Sequence, residues 1–136
     1  MEYDVAMDLA AKRLPNCVRS RRGPAATAVV LAMGGFRSLE EGWPEWTETD
    51  RGVLLEMLSR RRVPRAELLP AVNRLLPAVA RQMGEPVPGP VRNGYLGVLI
   101  HRIRGHFEEL VRRELFTHRP GSSGAVNDPP GQPSGS

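Results

Sequence analysis

Cysteine is nearly absent from this chain. Cys17 is the only one in 136 residues, which excludes an internal disulfide framework and a multi-cysteine zinc site and suits a reducing compartment. Aromatic residues make up 5%, so a core must be built from Leu, Val, Ala and Met. No apolar run approaches the roughly 20 residues that a membrane-crossing helix needs. The sequence also lacks a phosphate-binding glycine loop, a GxSxG elbow, a dinucleotide fingerprint and an HExxH pair. Cys17 lies among basic residues, but no partner base marks it as a nucleophile. His106 and Glu109 stand three apart and have no second pair to complete a metal site; His101 and His118 have no better company. These gaps argue for a non-enzymatic protein with no metal and no cofactor.

Charge is present, and it is nearly all arginine. The formal net charge is +4 and the pI about 10.2. Of 19 basic side chains, only Lys12 is lysine. Arginine forks onto phosphate, but Arg-over-Lys bias with abundant Ala, Gly, Pro and Val is also what a GC-rich bacterial genome produces. The arginines gather in two knots: Arg19, Arg21 and Arg22, and Arg60, Arg61, Arg62 and Arg65. Both are candidate phosphate contacts.

The stretch around which the chain is expected to organise is Leu68 to Arg81, where LLPAVxR is written twice with Asn73 against Ala80 as the one internal difference. Its apolar residues follow helical spacing. Pro70 fits best in a first turn, and Pro77 should then kink the helix.

In chain order, Glu2–Leu14 reads as a short helix with Val5, Leu9, Met7 and Leu14 on its apolar side, ended by Pro15. Lys12 to Arg22 carries five basic residues and no acid, and reads as a basic linker. Ser20-Arg21-Arg22 ahead of an apolar run resembles a twin-arginine export signal, but it lies behind an acidic helix and the run is short. Pro24 to Gly35 reads instead as a buried helix stopped by Gly34-Gly35. Phe36 to Asp50 is an acidic loop holding Trp43 and Trp46, which either cap the core or anchor a partner; its acids form a solvated run with no pair singled out for acid–base work. Thr47 should cap a helix to Arg61 or Arg62, with Val53, Leu54, Met57 and Leu58 as its apolar stripe. That helix and the repeat helix suggest a helix-turn-helix pair, but the second member is proline-broken and Leu-rich, unlike a recognition helix. A rigid loop, GEPVPGP, precedes the longest element, Val91 to Phe116, expected to be helical from Leu96. There Gly97 and Gly105 would allow close packing against a neighbour. Thr117–Ser136 is Pro, Gly and Ser with almost no apolar residue, the composition of a disordered tail.

One short resemblance exists. VRNGYLGVLIHRI, Val91 to Ile103, resembles segments that follow the winged-helix region in some bacterial plasmid-type replication and regulatory proteins. It implies a leucine-rich helix there and lacks the proline of the V-R-x-P pattern.

The expected fold is mainly α: a small bundle of four or five helices over residues 1–116 with a tail over 117–136. The leading expectation for function is a small basic bacterial accessory or regulatory protein, cytoplasmic, that contacts nucleic acid non-catalytically through its arginine knots. The alternative is a protein–protein adaptor, or a homo-oligomer, using the Trp43/Trp46 loop and the repeat helix. Neither reading involves a membrane.

Overall fold

The computed structural model describes residues 2–117; of the expected tail over 117–136, Thr117 is the last residue of a helix and the rest lies outside the described residues. Five helices follow one another: α1 Tyr3–Arg21, α2 Gly23–Met33, α3 Glu48–Ser59, α4 Arg65–Gln82 and α5 Asn93–Thr117. Among the described residues there is no strand, so the mainly α expectation holds.

The element at the centre is α2, not the repeat helix. It carries no charge, and every residue from Ala26 to Met33 is at most 4% exposed. A helix that is apolar all round can be stable only when covered on all sides, and α1, α3, α4 and α5 all pack on it. A Schellman motif ends it: Phe36 N–H donates to Leu31 O and Gly35 N–H to Ala32 O, both at 3.0 Å. Gly35 takes φ +96°, a left-handed conformation that costs other L-residues about 1–2 kcal/mol.

Helix α1 runs seven residues further than Leu14, where the sequence reading ends it. Pro15 lies inside it, where a proline costs about 3 kcal/mol. Burial on both sides of the proline offsets that. Ala6, Ala10, Leu14 and Val18 repeat every four residues and are all 0% exposed, whereas Val5 is exposed. The basic "linker" is therefore the last half of a helix. Only Arg22 separates it from α2, and the corner turns on Gly23 at φ +82° with Pro24 in the first turn of α2.

Helix α3 starts as expected. Asp50 N–H donates to Thr47 Oγ1 and Thr47 N–H to Asp50 Oδ2, a reciprocal capping box. It ends at Ser59, before the arginines, and buries only Leu54 and Leu58; Val53 is exposed. It packs chiefly on α1 and α2, so with α4 it does not form the compact pair of a helix-turn-helix.

Helix α4 contains both prolines in one continuous helix. It begins at Arg65, so Pro70 is not in the first turn. Leu68, Val72, Leu75, Leu76 and Val79 are each at most 2% exposed, and their burial, at about 1.5–3 kcal/mol apiece, outweighs the prolines. The repeat's single difference has a structural reason. Asn73 Nδ2 donates to Val91 O (3.0 Å) and Val91 N–H donates to Asn73 Oδ1 (2.7 Å), pinning the entry to α5; Ala80, its counterpart, is 0% exposed and has no room for an amide. Helix α5 begins three residues before the expected Leu96 and packs mainly along α1, with Arg13 paired to the buried Glu114.

Candidate nucleic-acid interface

The α3–α4 connection is short and arginine-rich. Arg60 takes extended backbone as the cap of α3, Arg61 and Arg62 are exposed in the bend, and Arg65 opens α4. Pro64 keeps Val63 out of helical space, so the connection cannot continue α3 into α4. Helix α5 runs beside them. Arg104 donates from a terminal guanidinium nitrogen to Arg60 O. Arg65 reaches over Gly97: a Cβ there would lie 2.8 Å from Arg65 Nη1. Gly97 and Arg104 are seven apart, about two turns, and so share a face of α5.

These side chains enclose a cleft of about 360 Å³ lined by Arg61, Arg62, Arg65 and Arg104, with Val63, Gly97 and Ile100 as its apolar part. No carboxylate lines it. The Nε of Arg104 is buried and has no hydrogen-bond partner, an arrangement that costs about 1–3 kcal/mol until an acceptor arrives. Arg60 is partly neutralised by Glu56 at 3.3 Å.

The other knot is placed differently. The guanidinium carbon of Arg19 lies 4.7 Å from the centroid of the Trp43 ring. Arg22 donates from Nε to His106 Nε2 at 2.7 Å, and Arg21 is exposed. The pKa of His106 is held below its ordinary value by burial first, then by the Arg22 charge; Glu109 opposes and Arg21 adds to the lowering. His106 and Arg104 are two residues apart, about 200° round the helix. The two knots therefore meet α5 on opposed flanks and are not brought together.

Trp43 and Trp46 are half-buried and pack against the core. Trp46 meets Phe36 edge-on, ring centroids 5.0 Å apart, and lies over the end of α2, where a Cβ on Gly34 would fall 2.3 Å from its ring. Cys17 is free and half-buried against the core. Among the described residues no three His, Cys, Asp or Glu side chains gather as a metal site, and no helix is long and apolar enough to cross a membrane.

Arg104 was not among the candidates from sequence. Its signal was the seven-residue spacing from Gly97, the glycine already expected to admit a close neighbour. That neighbour is a guanidinium, not a helix backbone.

Comparison with protein-family models, curated proteins and solved structures gives no match, so the short likeness of Val91–Ile103 assigns no family.

Proposed function

We propose that the chain binds the phosphate backbone of a nucleic acid, without catalysis, through the cleft formed by Arg61, Arg62, Arg65 and Arg104. The observation that carries this reading is a cleft lined by four arginines and no carboxylate, one of whose donors is buried without an acceptor. A phosphate oxygen would supply that acceptor once the Arg104 side chain swings outward, and the exposed guanidinium forks of Arg61, Arg62 and Arg65 match a phosphate in shape and charge. Arg61 and Arg62, being exposed, extend the contact along the backbone. Arg60 contributes less because Glu56 already pairs with it. The contacts proposed go to phosphates and not to base edges, so the binding is weakly specific. Arg19 and Arg22 are engaged by Trp43 and His106 on the other flank, and the reading does not depend on them.

The test is binding to a mixed-sequence DNA duplex and to single-stranded RNA at 50 and 200 mM salt. About three phosphate contacts give a slope of log K against log salt near −2.7, so this fourfold rise in salt should weaken duplex binding about 40-fold. No binding at 50 mM salt would remove the reading.

A further inference from the structure

The Trp43/Trp46 region holds a second cavity of about 300 Å³, on a different part of the surface from the arginine cleft and independent of the reading above. Val30 and Leu31 of α2 form its floor, Trp43 and Trp46 its walls, and Pro15 of α1 one edge. Its size is at the small end of ligand sites, which run from about 300 to 1,000 Å³. At about 30 Å³ per water in the liquid, it has room for roughly ten non-hydrogen atoms.

The one charged group around it is a cation, Arg19. Thr27 has its hydroxyl proton committed to Gly23 O at 2.8 Å, so it has no donor to offer a ligand. The groups left to donate are the guanidinium of Arg19 and the amide of Asn16, one helical turn or less apart on α1, and the indole N–H groups of Trp43 and Trp46. No carboxylate lines the cavity, and among the described residues Arg19 makes no ion pair or hydrogen bond; its contact is with the Trp43 ring at 4.7 Å. A guanidinium resting on an aromatic ring loses side-chain freedom there while keeping its N–H groups for a planar acceptor. The mid-helix proline has a consequence here as well: Pro15 has no N–H and adds an apolar ring to the lining.

We propose that this cavity binds a small apolar monocarboxylate, its hydrocarbon body between Trp43, Trp46 and Leu31 and its carboxylate on Arg19. A phosphate ester or dianion fits less well, because a single cation faces the cavity and the walls are apolar.

The chain's two tryptophans both line the cavity, so intrinsic fluorescence reports on it directly. The full chain is titrated with 3-phenylpropionate, with 3-phenylpropionamide as a neutral match in shape, and calorimetry follows the same pair. The acid is expected to give a saturable change with a Kd below about 1 mM, at least about tenfold tighter than the amide. Arg19→Gln should remove the advantage of the acid and leave the amide unchanged. No saturable response to the acid by either method overturns the proposal. So does equal binding of acid and amide by the unaltered protein, a result that stands whether or not the variant folds.

Discussion

Replacing Asn73 by Ala makes the first repeat identical to the second, LLPAVAR, and this should cost the protein much of its stability. The side chain holds Val91 by two hydrogen bonds of 3.0 and 2.7 Å, and Val91 is 5% exposed. Each bond contributes about 1 kcal/mol net, and removal leaves a buried N–H and C=O partly unpaired, so the loss comes to about 2–3 kcal/mol. For a domain of this size that is a fall in Tm of about 8–12 °C, read by circular dichroism during heating and by urea denaturation with an unchanged m value. Asn73→Asp keeps the acceptor for Val91 N–H but sets a carboxylate oxygen against Val91 O, so it should cost at least as much as Asn73→Ala. The reciprocal change, Ala80→Asn, places an amide at a site that is 0% exposed and should cost about 2–4 kcal/mol. A loss below about 0.5 kcal/mol for Asn73→Ala, within the range of a neutral surface change, would refute the pinning role.

Three further outcomes are expected. Gly34→Ala puts a Cβ 2.3 Å from the Trp46 ring; the indole must move, at a cost of about 1–3 kcal/mol and with a change in tryptophan emission. Pro70→Ala should stabilise the chain by about 1–3 kcal/mol, because Pro70 is exposed inside α4 and its removal restores a helical hydrogen bond without loss of packing. The depressed pKa of His106 means that the unfolded chain takes up a proton at higher pH than the folded one. Its contribution to stability is therefore fully present above pH about 6.5 and is lost as pH falls through that value towards the lower folded pKa. Arg22→Met should move the imidazole titration, followed by NMR, upward and shrink that loss; an unmoved titration would contradict the role given to Arg22.

Much of the bundle is legible in the sequence because its signals are local. The Thr47 cap with Asp50, the Gly34-Gly35 stop and the apolar spacing of Leu68 to Val79 each need only a few neighbouring residues, and each is present in the structure. The failures come where tertiary packing overrides a local rule. Pro15 and Pro70 read as helix boundaries, yet Leu14, Val18, Leu68 and Val72 are buried deeply enough to carry the helix through both. The central place of α2 is hidden because an uncharged run of eleven residues gives no period to read. The candidate site is half legible. Arg60 to Arg65 stand out as a run, whereas Arg104 lies about 40 residues downstream among other polar residues of α5, and only folding shows that Gly97 clears space for Arg65. The same limit applies to Arg19 and Trp43, which are far apart in the chain and touch in the fold.

The most direct test compares two double substitutions that remove the same charge from opposite flanks of α5. Arg61→Gln with Arg62→Gln strips the cleft; Arg21→Gln with Arg22→Gln strips the other knot. Duplex binding is measured for each across the same range of salt. The cleft pair should flatten the slope of log K against log salt by about 1–2, and the other pair should leave it nearly unchanged. Equal flattening by both pairs would mean that binding follows diffuse positive charge, and would contradict a site in the cleft.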